Sequence, residues 1–429
     1  MSVVDVNVEH IARVEGHGNI IINVKEGKIE ELRLEIVESP RFFEAMVLGR
    51  RFDEVSHITS RICGICSVGH TLTSLKAMEA AMGIKPSKQT IRLRRLLTYG
   101  ATIQSHILHE YFLAAPDFLG IGSVVPLVST NPDVVKRALY LKKLANDMCD
   151  LIGGRTVHPT SAVVNGFTKI PKVEEIKKLK EKLIGSFHDL EATVELYKNL
   201  SIPTFNRETE YLALKSSEEY AFYEGDQIAS SDGGLTPVEN YKDKVCEKIV
   251  SHSSAKHCNS NRESLMVGAL SRININYEQL TKKAKKAAAD MNLNIPCFNP
   301  YMNNVAQIVE AIHCVEASIS LIDELLKNGL KEENRSFKIK SGRGVGACEV
   351  PRGTLYHDYE IDSNGTITKA NLIIPTGQNL KNIEMDLEAL IPNIIDKTKE
   401  EITLAVEMLV RAYDPCISCS THFMNVVLK

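Results

Sequence analysis

The chain has 429 residues, a formal net charge of -3 and 24% charged residues, a balance with no basic excess to draw nucleic acid or an acidic membrane surface. Its 44% apolar content fits a globular protein with a large core. No apolar run reaches the roughly 18–20 residues of a bilayer span and residues 1–10 lack the build of a signal peptide, so the chain reads as cytoplasmic. Ten cysteines in a chain this long suit reduced thiols held for metal or redox work better than a disulfide framework.

In chain order, the first predicted element is a β-hairpin: an alternating strand at 18–24, the turn KEGK at 25–28, then IEELRLEIV. Helical periods follow over 70–82, 87–115, 132–153 and 173–200. A Gly, Ser and Asp-rich stretch at 203–272 reads as short strands and loops. Helical periods return over 277–292, 303–328 and 380–410, interrupted by a second strand-and-turn region at 345–375. The pattern predicts an α+β fold that is mainly α. One domain would span 1–429, with a β region to about 40, a helical core at about 68–200 and 277–410, and β excursions at its rim.

The chemistry concentrates in cysteine pairs. Cys63 and Cys66 stand in SRICGICSVGH, with His70 four residues on, and Cys416 and Cys419 repeat the spacing in AYDPCISCSTH, with His422 close behind. A zinc ribbon closes over about 15–20 residues, so pairs this far apart can meet only through the tertiary fold. The other six cysteines (Cys149, Cys246, Cys258, Cys297, Cys314 and Cys348) stand singly. Four thiolates are open to three readings: structural zinc, two redox dithiols, or a catalytic transition metal, since soft sulfur suits nickel and iron as well as zinc. Neither pair lies in a βαβ context. Polar residues that structural zinc does not require stand in nearby motifs: Glu15 in RVEGHG, Glu44 in RFFEAM and Arg352 in EVPRGTLYHDY.

Together RVEGHG, RICGIC followed by His70, GGRTVHP, EVPRG, IIPTGQN and DPCISC followed by His422 closely resemble the large, catalytic subunit of nickel-iron hydrogenases, in the family's order along the whole chain. The resemblance implies that the four thiolates hold nickel, with Cys63 and Cys416 terminal. Cys66 and Cys419 would bridge to an iron carrying one carbon monoxide and two cyanides. Dihydrogen is a very weak acid, so it is split between a Lewis acid and a base, and a terminal thiolate can be that base. Glu15 matches the family's proton relay beside Cys416. Arg352 matches the guanidinium over the open metal position, with Asp117 and Asp414 expected to orient it. Pro351 and Thr376 correspond to contacts around the diatomic ligands, and His70 to a hydrogen bond on a bridging sulfur.

Glu44, the Leu372 carbonyl and His422 match a second site, usually magnesium. His106 and His109 share a helix face and read as core or interface residues. Arg155 and His158 would face a partner. Once four thiolates are used, no cysteine set remains for an iron-sulfur wire, so electrons must leave through another chain. The resemblance names flavin or NAD(P)-binding subunits together with a small iron-sulfur subunit, most like the cytoplasmic NAD(P)-linked class. A maturation protease would remove the tail at 423–429. A membrane-bound energy-converting hydrogenase and a zinc-stabilised scaffold are the alternatives.

Overall fold

The alternating N-terminal residues form a three-stranded antiparallel sheet, Val4–Val8, Gly18–Lys25 and Lys28–Ile36, in the computed structural model, which describes residues 4–217 and 219–421. Ile20, Ile22, Val24, Leu34 and Ile36 turn one face inward. Glu26 and Gly27 join the last two strands with φ of 52° and 76°, the primed turn whose twist matches that of the strands it connects.

Three long helices form the centre. Lys88–Leu108 begins at Ser87, whose Oγ accepts the Thr90 N–H at 3.0 Å, and packs against Pro132–Gly153 and Asn303–Asn328. The segment Pro300–Asn328 is long and apolar enough to cross a membrane, yet 78% of its apolar window is buried. It is the core helix here.

Several predicted helices are broken, two of them with a local cause. The 173–200 segment divides into Val173–Gly185 and Phe187–Lys198 at Ser186, whose hydroxyl donates to the Leu183 carbonyl at 2.8 Å and competes with the helical ladder. The 380–410 segment divides into Pro375–Leu390 and Lys399–Ala412, because Pro392 can neither donate nor accommodate the preceding turn. A capping box of Thr398 and Glu401 restarts the helix. Within 87–115 the helix widens at Leu108 into a π-helical turn, His109–Ala114. The 277–292 segment reduces to a 3-10 turn and the helix Lys282–Asp290.

The last β region is the strand meander Gly342–Val350, Gly353–Ile361 and Ile367–Ile373. Val350 pairs with Gly353, so Pro351 and Arg352 form the hairpin tip. Gly342, Gly344 and Gly346 lie on one face of the first strand, where an added Cβ would come within 2.1–2.3 Å of the backbone oxygens of Ala81, Ala77 and Thr73. These glycines let the sheet press directly onto the Ser67–Met82 helix, fixing the second residue of the first cysteine pair relative to the Arg352 tip.

Candidate metal centre

The two cysteine pairs meet. Cys63 ends a 3-10 turn and Cys66 precedes the Ser67–Met82 helix, while Cys416 follows the Lys399–Ala412 helix and Cys419 lies in the short helix Ile417–Ser420. All four sulfurs are buried and lie within 4.8 Å of one another, with Cys63 and Cys416 Sγ 3.4 Å apart. Arg41 ties the loops together: its guanidinium donates to the Ile62 carbonyl at 2.7 Å and to the Ser418 carbonyl, and its N–H to the Thr421 carbonyl at 2.7 Å.

Hydrogen bonds from Cys416, Cys419 and Cys66 stabilise a thiolate at Cys63 and pull it well below the ordinary thiol range. The later ionisations are opposed. Cys416 is pushed up by its neighbouring thiols, Cys419 first, and Cys419 is pushed up mainly by burial. Four thiolates here need a multivalent cation, and the donor set of four convergent buried sulfurs fits one.

Two charged groups flank the sulfurs. Glu15 reaches Cys416 through a bridge in which the Ile417 N–H donates to the Glu15 carbonyl at 2.9 Å. Glu15 Oε2 accepts from Cys416 Sγ at 3.2 Å and from the Ser418 N–H at 3.0 Å. Gly16, at φ 86°, permits this approach, since a Cβ there would lie 2.7 Å from Ile417 Cβ and 2.8 Å from Ser418 N. On the opposite flank Arg352 donates to Cys66 Sγ at 3.4 Å, Ser105 Oγ at 3.1 Å, the Asp414 carbonyl at 2.8 Å and Asp414 Oδ1 at 2.8 Å. Burial opposes the Arg352 charge, but Asp414 and the sulfurs outweigh it and hold the guanidinium protonated.

Asp117 is placed differently from the expectation. Its carboxylate is taken by Arg13 and by Arg411, at 2.7 and 3.0 Å from the latter, because the π-helical turn and Pro116 carry it toward the N-terminal segment. Asp414 alone of the pair hydrogen-bonds Arg352. The role expected of Asp117 falls in part to Ser105, and to Gln307, which donates to Asp414 Oδ2 at 3.1 Å.

Thr376 Oγ1 accepts the Cys416 N–H at 3.0 Å, and the Pro351 carbonyl accepts from Arg272 at 3.0 Å. His70 Nδ1 lies 3.2 Å from His357 Nε2. Glu44 Oε1 accepts the Leu372 N–H at 2.8 Å, so those two residues do come together. His422 and the tail lie outside the described residues. His158 packs on the first cysteine loop, with Nδ1 2.9 Å from the Ser60 carbonyl and its N–H 3.0 Å from Ser67 Oγ. Arg155 beside it is exposed.

Sequence reasoning missed the support behind Arg352. Arg272 makes two 2.7 Å bonds to Glu310, one of 3.0 Å to Glu349 and one of 2.9 Å to the Val350 carbonyl. Glu310 also faces His106 Nε2 at 2.8 Å and Tyr220 Oη at 2.6 Å. Burial acts to raise the Glu310 carboxyl, but Arg272 outweighs it and holds it down at about 2. His109 contacts Glu110 and Gln307 at 2.9 Å; burial would lower it, yet Asp414 and Glu110 raise it to about 9. Both histidines are therefore core residues. The signal for this network was an ionisable Glu310 inside the mostly apolar stretch VAQIVEAIHCV at 305–315.

The family model for nickel-dependent hydrogenases matches residues 41–137 and 205–422. The chain belongs to the nickel-dependent hydrogenase family, as a large subunit. It is 37% identical to the alpha subunit of sulfhydrogenase 1 of Pyrococcus furiosus over 423 residues, covering 98% of each chain. It is 32% identical to an F420-non-reducing hydrogenase subunit of Methanothermobacter marburgensis, over 99% of this chain and 96% of that one. Its fold superposes on an NAD+-reducing [NiFe]-hydrogenase in the H2-reduced state with a TM-score of 0.88 at 28% identity, covering 98% of this chain and 99% of that one. The mainly helical architecture with peripheral sheets is thus the hydrogenase large-subunit fold, and the four-cysteine cluster is a donor set that could hold the metal of a nickel-dependent family.

Proposed function

We propose that residues 1–429 form one catalytic domain that reversibly cleaves dihydrogen, in a complex that passes the electrons to NAD(P) or a similar soluble carrier. The observation that carries this reading is the four-sulfur cluster held between a carboxylate and a guanidinium. Zinc at the same sulfurs would leave both flanking charges without a task.

Cys63, Cys66, Cys416 and Cys419 would hold nickel and iron, the iron carrying one carbon monoxide and two cyanides, with Pro351 and Thr376 beside those ligands. When bound, the metals supply the Lewis acid against which the H–H bond is split. Cys416 Sγ takes the proton and hands it to Glu15 Oε2, 3.2 Å away. Glu38, which accepts from Ser418 Oγ at 3.2 Å, and exposed His17, 3.2 Å from Glu38, mark the side on which the proton would leave. Arg352 stabilises negative charge at the sulfurs and is positioned by Asp414, with Arg272 fixing the hairpin tip. Glu44, the Leu372 carbonyl and His422 would hold magnesium.

The exposed surface at Arg61, Gly64 and Arg155 beside Cys63 suits a small iron-sulfur subunit, with flavin or NAD(P)-binding subunits beyond it. The NAD+-reducing structural relative supports that acceptor class, and a cytoplasmic location is proposed with it. A maturation protease would cleave after His422, which mass spectrometry of the tail tests.

The deciding experiment is metal analysis of the purified complex with infrared spectroscopy of the carbonyl and cyanide stretches. About one nickel and one iron per chain with those bands is expected; zinc alone without bands would overturn the reading. Cys416→Ser is expected to abolish both turnover and nickel retention. Hydrogen-dependent reduction of NAD+ and NADP+ by the same complex tests the acceptor.

A further inference from the structure

We propose that His252, His257 and Glu384 form a second transition-metal site, suited to Zn2+ and separate from the four-cysteine centre. Their donor atoms all lie within 4.8 Å of one another. Glu384 projects from the Pro375–Leu390 helix eight residues beyond Thr376, so the site stands about 12 Å along the helix axis from the residue that contacts Cys416. His257 begins the strand His257–Asn259, and His252 lies in the loop before it.

The separations suit a single ion. His252 Nε2 is 2.8 Å from Glu384 Oε1, and His257 Nδ1 is 4.0 Å from Glu384 Oε2. Donors on a tetrahedral zinc with bonds of about 2.0–2.1 Å stand about 3.4 Å apart, a value these two separations bracket. The rings meet edge to face, with centroids 5.4 Å apart, so both can present a nitrogen without stacking. His257 and Glu384 are each only 4% exposed, so an ion held between them is largely withdrawn from water.

The charges agree with cation binding. Glu384 supplies the anion, oriented by the Leu34 N–H at 3.2 Å. Lys381 sits 3.7 Å from Glu384 Oε2 but equally 3.7 Å from Glu263, so its ammonium has a second carboxylate to move to when an ion arrives. Two imidazoles and one carboxylate are a borderline set that suits zinc, and half-buried His252 leaves room for a water as fourth ligand. The ion would clasp the 249–256 loop, the N-terminal sheet and the Pro375–Leu390 helix to one another. Binding takes the place of the hydrogen bond between His252 Nε2 and Glu384 Oε1.

The test uses the purified complex equilibrated with Zn2+, desalted, and analysed by elemental analysis and zinc-edge X-ray absorption. About one zinc per chain beyond the nickel and iron is expected, with a nitrogen and oxygen shell free of sulfur. His252→Ala, on a half-exposed loop, and Glu384→Gln are each expected to lose that zinc while keeping nickel, iron and hydrogenase activity. No stoichiometric zinc, zinc retained in both variants, or sulfur in its shell would overturn the proposal. The last outcome would place the ion at the cysteines instead.

Discussion

The two flanks of the sulfur cluster are built on opposite principles. Behind Arg352, every charged side chain is buried and matched: Arg272 against Glu310 and Glu349, His109 against Glu110, and Arg352 against Asp414. On the Glu15 side the groups are half-exposed and loosely joined, running through Ser418 and Glu38 to His17 at the surface. Buried ion pairs in low dielectric hold geometry because leaving one partner alone is so costly. Half-exposed carboxylates stand in contact with water and can pass protons. A site that must hold a charge still on one side and move one on the other calls for both.

The largest effect is expected from breaking the mobile side. Glu15→Gln keeps the shape and can still accept the Ser418 N–H, but it cannot take the Cys416 proton. Turnover and hydrogen isotope exchange should fall by about 10²–10⁴-fold, with nickel and iron retained. Loss of nickel instead would show that Glu15 is structural, and the contrast between the two flanks would fail.

On the still side, Arg272→Met leaves Glu310 and Glu349 buried without their cation. The cost should be about 3–5 kcal/mol of stability, read as a lowered denaturation midpoint. Turnover should fall less than stability, because Arg352 keeps Asp414. Double replacement of Arg272 and Glu310 by apolar residues should recover part of the loss.

Acid should dissolve the still side in two windows. Burial holds His313 down at about 4, against about 6.5 in an unfolded chain, so the fold resists protonating it and stability declines as pH falls from 6.5 toward 4. Glu310, held at about 2 against an ordinary 4.5, contributes on the order of 3 kcal/mol above pH 4.5. That contribution is lost as pH falls through 2. Chemical denaturation across pH 7 to 3 should show the first decline in full and the second part-way.

How much of this was legible in the sequence follows the same division. The cysteine pairs, Glu15 and Arg352 stand in short motifs whose chemistry can be named from residue type and spacing. The N-terminal hairpin is written in period-two alternation and its turn. The matched charges behind Arg352 were not legible, because Arg272, Glu310 and Glu349 come from three separate elements and only the fold joins them. Motif matching pairs Asp117 with Arg352, but a π-helical turn, set by tertiary packing and not by local propensity, carries it to Arg13 and Arg411. One clue does lie in the sequence: glycines at 342, 344 and 346 alternate along a strand, which signals close approach of another backbone.

The smallest expected effect lies where the mobile side meets water. His17 shares Glu38 Oε1 with Ser418 and stands edge-on to His10, with ring centroids 5.7 Å apart. Its side chain is 66% exposed, so bulk water competes with it as a proton acceptor, and removing it can remove only a convenience. His17→Gln should lower turnover by less than about tenfold, since it removes one surface proton acceptor among many. Imidazole added to the buffer should restore the loss. A deficit indifferent to imidazole would mean that protons leave Glu15 by another path, and the open flank would then owe its openness to something other than proton transfer.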